Sequence, residues 1–216
     1  MTHLPLTDFL LKRRSSKLGM LNEPGPSKAD IETILKIASR VPDHGKYAPW
    51  YFIVFDGESR KEAGELLREA YASENPDTPS AKLDLEAERF LRAPLVIAVV
   101  SRIKPGKHAQ WEQILSAGAA CMNLCLAANS LGYGSNWLTE WYSYSPKFKS
   151  ALGIDANDNI AGFIYIGTPN GTHEERERPA LENIATYWEN GKALNKGDEY
   201  GMPDKGIPKP GFTSAV

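Results

Sequence analysis

Residues 95–100 (LVIAVV) constrain this chain more than any other segment. They lie between Pro94 and the polar loop SRIKPGK and leave no polar face for solvent. A strand of that kind is covered on both sides, so the chain needs helices above and below a sheet. Residues 50–55 (WYFIVF), ending at the turn pair Asp56-Gly57, and residues 160–166 (IAGFIYI), closed by Gly167-Thr-Pro169, read as further strands. Residues 135–138 form a shorter candidate strand. The expected class is α+β, with a central mixed sheet flanked by helices.

The helical signals fit that frame. Thr7 can cap a short helix, DFLLKRR. Ser27 and Asp30 form a capping-box start, followed by Ile31, Ile34, Leu35 and Ala38 on one face. Polar helical patterns occupy residues 59–71 and 81–91, and Ser145-Pro146 opens another short helix. Residues 111–131 are Ala-rich, apolar all round and stopped by Gly132. A helix this apolar belongs in the centre of a domain or against a second subunit.

At 216 residues, one domain over residues 1–190 is expected. Residues 191–216, rich in Gly, Pro and Lys, read as a tail that is either disordered or laid along a partner. Twenty-five basic against 27 acidic residues leave a net charge of -2, which gives no global field for nucleic acid or anionic lipid. The apolar stretch at residues 117–128 falls short of the roughly 20 residues of a membrane span. The first residues do not read as a secretory signal. Cys121 and Cys125, one helical turn apart, read as buried thiols in a reducing compartment, here the cytoplasm.

Familiar catalytic motifs are absent: no G-x-G-x-x-G after a strand, no phosphate-binding P-loop, no G-x-S-x-G and no H-E-x-x-H. The four histidines share no metal-ligand spacing, so no metal is expected. Two basic clusters remain, Lys12-Arg13-Arg14-Ser15-Ser16-Lys17 and Arg176-Glu-Arg178-Pro179. Arginine forks and serine hydroxyls suit a phosphate, although each cluster alone reads equally as a solvated face. A third segment, Arg40 to Trp50, leaves a helix, turns through two prolines and enters a strand.

In this order, the RRS motif, P-D-H…P-W, W-E-Q…S-A-G, G-Y-G-S-N-W, G-T-P and R-x-R-P resemble the FMN-dependent nitroreductase family and its compact NAD(P)H nitroreductases. The resemblance implies a homodimer with FMN at the subunit interface. It assigns Arg13, Arg14 and Ser15 to the flavin, Lys17 to its pyrimidine ring, and Arg176 and Arg178 to its phosphate. Trp137, Leu138 and Thr139 would pass over the isoalloxazine ring, and Arg40 and His44 would arrive from the other subunit. Ala127, Ala128 and Gly132 match a stretch assigned to the nicotinamide nucleotide. Lys46, Tyr47 and Trp141 are expected at the acceptor pocket, where Gly45-Lys46-Tyr47-Ala48 departs from the Asn and Gln of many members.

The function so implied is hydride transfer from NADH or NADPH, through FMN, to a nitroaromatic or quinone-like small molecule. The flavin carries the chemistry, so no catalytic residue is named. A flavin carrier or sensor without turnover remains the alternative, and a flavin-free module for phosphorylated ligands a third reading.

Overall fold

The computed structural model describes residues 6–171, 173 and 175–197. The chain divides into two units, Met1–Thr172 and His173–Val216. In the first unit the helices are α1 (Leu6–Lys12), α2 (Lys28–Ala38), α3 (Ser59–Glu74), α4 (Ser80–Ala87), α5 (Gln110–Ser130) and α6 (Pro146–Ala151). The strands are β1 (Leu21–Asn22), β2 (Trp50–Asp56), β3 (Leu95–Ser101), β4 (Gly134–Leu138) and β5 (Asn159–Pro169).

The apolar run becomes β3, buried along its whole length. Its alternate residues feed two separate cores. Val96, Ala98 and Val100 join Phe90, Tyr142, Phe148, Phe163 and Tyr165 on one side. Leu95, Ile97 and Val99 join Ile34, Ala120, Leu124, Ile164 and Ile166 on the other. Helices α2 and α5 therefore cover one face, while α3 contributes Ala63, Leu67 and Ala70 to the opposite one. This is the two-sided burial that a continuous apolar strand demands.

Strand β3 pairs with β2 on one edge and β5 on the other, and β5 also carries β4 and β1. The four pairings among the described residues are antiparallel, and the α+β class with flanking helices holds. Strand β5 runs on through Gly167-Thr168-Pro169 because Leu21 and Asn22 pair with Pro169 and Thr168.

Ser27 caps α2 reciprocally with Asp30, as its spacing predicts. Ser145 caps α6, accepting from the Phe148 N–H at 3.1 Å, with Pro146 in the first turn. Both cysteines are free and buried on α5. No helix among the described residues is long and apolar enough to cross a membrane.

The second unit contains the short helix α7 (Leu181–Ile184). Asn195 folds back on it, its N–H donating to Thr186 Oγ1 at 2.7 Å, and the Gly197 N–H donates to the Asn183 carbonyl at 2.9 Å. The start of the expected tail is thus hydrogen-bonded to the residues before it. Its remainder, residues 198–216, lies outside the described residues.

Candidate functional site

The first basic cluster leaves α1 and docks on β4. The Ser16 N–H donates to the Ser135 carbonyl at 2.8 Å, and the Asn136 side-chain amide donates to the Ser16 carbonyl. Ser16 is fully buried, which fixes the loop around it. Docking brings Arg13, Arg14, Ser15 and Lys17 to the strand that ends in Trp137, Leu138 and Thr139. Two elements that the sequence assigns to one site therefore meet.

Within this loop the guanidinium Nε of Arg13 is buried and has no hydrogen-bond partner. A buried, unsatisfied charged donor is costly unless a ligand completes it. Arg13 lies near Cys125: burial pushes that thiol up to about 11, while the Ser135 hydroxyl and the Arg13 charge pull the other way. The Lys17 ammonium is exposed and makes no ion pair with a carboxylate among the described residues. Arg14 is half-buried and Ser15 exposed. An unsatisfied guanidinium beside a free ammonium and hydroxyl fits a phosphorylated anion such as FMN.

The far side of the site is a platform on β5. Trp137 donates its indole N–H to the Ala161 carbonyl at 3.1 Å. It lies so close over Gly162 that a Cβ there would come within 2.0 Å of the indole nitrogen, so only glycine fits. The indole stays partly exposed, Leu138 packs on the core and Thr139 faces outward.

Below Thr139 is a charged network that sequence reasoning missed. Glu140 accepts from Arg92 at 2.9 and 3.0 Å and also from Arg89. Arg92 continues to the Tyr142 and Tyr165 hydroxyls at 3.1 and 3.3 Å, and these bond each other at 2.8 Å. Arg89 also grips Glu86, which takes further hydrogen bonds from Lys82 at 2.6 Å and Trp141 Nε1 at 2.8 Å. Burial alone would raise Glu86, but the donors from Arg89, Lys82 and Trp141 outweigh it and hold the carboxyl at about 2. Burial would likewise raise Glu140, yet Arg92 and Arg89 keep it below the usual carboxylate range. Burial pushes the Tyr142 and Tyr165 hydroxyls up, so both remain protonated donors. The readable signal was Glu86, Arg89 and Arg92 spaced three apart, one helical face of charge leading into a buried strand.

Trp141 is drawn into this network. Its ring packs edge-on against Tyr71 at 4.9 Å, and it lines a surface groove with Tyr71, Glu74, Asn75, Tyr144, Ser145 and Pro146. None of the other expected site residues lines that groove. The Trp141 N–H satisfies the buried Glu86 carboxylate.

The Ala127 and Ala128 side chains are buried in the core. Their carbonyls close the end of α5, accepting from Leu131 and Tyr133, with Gly132 at φ +91° as the left-handed cap.

The third segment, from Arg40 to Trp50, runs along α5 and is held at several points of that helix. Ser116 Oγ donates to the Pro42 carbonyl at 2.7 Å and accepts from Trp50 Nε1 at 3.1 Å. The Asn123 amide donates to the Arg40 carbonyl at 3.0 Å. Asp43 accepts the N–H groups of Tyr47 and Ala48 at 2.9 and 2.8 Å, and His44 Nδ1 meets Glu112 Oε2 at 2.7 Å. Arg40, His44 and Lys46 are exposed, Tyr47 half-buried.

Glu112, which holds His44, and Cys125, near Arg13, are separated by about 20 Å of helix. Within one chain, His44 is therefore held far along α5 from Arg13, whereas the Arg40 carbonyl is held at Asn123, two residues from Cys125. In the second unit, Arg178 pairs with Glu175 at 3.4 Å and donates to the Arg176 carbonyl at 2.9 Å; both arginines are exposed.

Comparison with known proteins gives one consistent result. The sequence pattern of the "Nitroreductase family" matches residues 10–168. The Escherichia coli (strain K12) protein named "Putative NAD(P)H nitroreductase YdjA" is 35% identical over 163 residues, 75% of this chain and 87% of its own. The crystal structure of a nitroreductase-like family protein from Bacillus cereus superposes with a TM-score of 0.77 at 22% identity, covering 88% of this chain and 98% of that one. A nitroreductase with bound FMN from Bacteroides fragilis NCTC 9343 superposes at 0.62 with 20% identity, covering 85% and 98%. The two structural likenesses concern the fold.

Proposed function

Because the chain belongs to the nitroreductase family, we propose that it is an FMN-dependent oxidoreductase that takes hydride from NADH or NADPH. A nitroaromatic or quinone-like small molecule is the acceptor. The observation that carries this reading is the buried Arg13 Nε without a partner, in a loop docked against Trp137–Thr139.

FMN, when bound, supplies the hydride-accepting and hydride-donating chemistry. Arg13, with Arg14 and Ser15, binds the phosphorylated cofactor by charged hydrogen bonds. Lys17 places a positive charge where electron uptake adds a negative one. Backbone N–H groups at Thr139 and Glu140 are the donors offered to the ring, and the Glu86–Arg89–Glu140–Arg92 network holds that turn in place. Trp137 forms an apolar wall that excludes water.

Donor and acceptor use one slot in turn, a ping-pong exchange. Arg40, His44, Lys46 and Tyr47 reach that slot from the second subunit of a homodimer. The anchoring of His44 on Glu112, about 20 Å of helix from Cys125, supports this for His44. The exposed apolar face of α5 supports the dimer independently. Two free buried thiols fit the cytoplasm.

Arg13→Ala tests the assignment. Loss of one charged hydrogen-bonding partner costs roughly 1.5–3 kcal/mol, so FMN affinity is expected to fall at least about tenfold by fluorescence titration. An unchanged affinity would contradict the placement of the cofactor.

A further inference from the structure

His44, Glu112 and His108 converge where the Arg40–Trp50 loop meets the start of α5. One nitrogen or oxygen from each lies within 4.8 Å of the others. The two imidazole rings stand 3.5 Å apart between centroids, tilted by 36°. His44 already meets Glu112 at 2.7 Å, whereas His108, half-buried, has no hydrogen bond to either ring nitrogen among the described residues.

Both supporting loops are held on α5. Gln113 brackets the loop that carries His108, accepting from the Lys104 N–H and donating to the Lys104 carbonyl, each at 2.9 Å. Ser116 and Asp43 fix the loop that carries His44. Lys46 and Ala48 adopt φ of +57° and +42° there, conformations a side chain accepts only when its surroundings impose them. The Tyr47 ring stands 5.6 Å from His108 and closes one side.

Two imidazoles and one carboxylate make a borderline donor set, suited to Zn2+ rather than to Mg2+ or Ca2+, which prefer all-oxygen shells. Tetrahedral ligands at zinc distances lie about 3.4 Å apart. The three groups reach that spacing by small side-chain shifts. His44 and Glu112 are exposed, leaving a fourth position for water.

We propose that His44, His108 and Glu112 bind one divalent ion of the Zn2+ class per chain, and that the ion inhibits the enzyme by withdrawing His44 from the site. The inhibitory half rests on the flavin reductase reading; the binding half does not.

The test uses full-length protein without an affinity tag, stripped with chelator and exchanged. Co2+ titration is expected to produce the visible bands of a tetrahedral site at one ion per chain, with Zn2+ displacing it. His108→Ala and Glu112→Gln should each weaken binding at least about tenfold, while His173→Ala binds like the parent. Substoichiometric binding, or the same affinity in both cluster variants, would overturn the site. In NADPH turnover, micromolar Zn2+ should inhibit the parent, chelator should restore it, and His108→Ala should keep its rate and escape inhibition. Stoichiometric Zn2+ without inhibition would overturn the regulatory half. Binding is read by absorbance without turnover, so failure of the reductase reading would be seen separately.

Discussion

Glu86 shows how much a single side chain holds here: its side chain is 1% exposed and takes hydrogen bonds from Arg89, Lys82 and Trp141. Removing the Glu86 charge leaves the partly buried Arg89 with Glu140 as its remaining carboxylate partner, in competition with Arg92. Glu86→Gln, which keeps the size but not the charge, is expected to cost about 3 kcal/mol in urea unfolding. The pH dependence has a definite sign. The Glu86 carboxyl sits at about 2 in the folded protein against 4.5 for the free side chain. The unfolded chain therefore binds protons first on acidification, and stability present above 4.5 is lost as the pH falls towards 2. The variant should show a flatter stability profile over that window; an identical slope would contradict the role given to Glu86. None of this was readable beyond the three-residue charge spacing, because Glu140 joins Arg89 from about fifty positions away. By contrast Arg13, Ser15 and Lys17 were legible, since a compact basic run needs no distant partner to be noticed.

Helix α5 organises the molecule at the scale of elements. One face is buried on the sheet, while the other presents Trp111, Leu115 and Met122, which are 62%, 54% and 37% exposed. Gly118 lies on that outer face, and a Cβ added there would meet nothing within 4 Å in the chain itself. A mid-helix glycine costs about 1 kcal/mol relative to alanine, and a close helix crossing from a second subunit is what would justify it. Leu115→Glu is expected to give a monomer by light scattering. Gly118→Ala separates the alternatives: weakened dimerisation supports a close crossing, whereas unaltered assembly with higher stability contradicts it. The pattern of residues 111–131 carried this message, because no amphipathic face could be found. The two-sided burial of β3 was equally legible from its unbroken apolar run. Strand β1 was not, since two residues have no periodicity and Leu21–Asn22 is defined only by its pairing with β5. The burial of Ala127 and Ala128 against the sheet follows from the same apolar pattern of α5.

At the scale of the whole molecule, the proposed site draws on two parts of the chain. Arg13 lies near Cys125 on α5, whereas His44 is held on Glu112, about 20 Å along the same helix. In the proposed homodimer one subunit would complete the other. The ordered series of short motifs made the fold recognisable, and the resemblance they carry also implied that Arg40 and His44 arrive from the other subunit. The most direct measurement is an absorbance spectrum of the purified protein, before and after anaerobic addition of NADPH and then of NADH. The account predicts a flavin band that bleaches with at least one donor and returns when a quinone or nitroaromatic acceptor is added. A band that survives both donors, or no band after incubation with FMN, would contradict it.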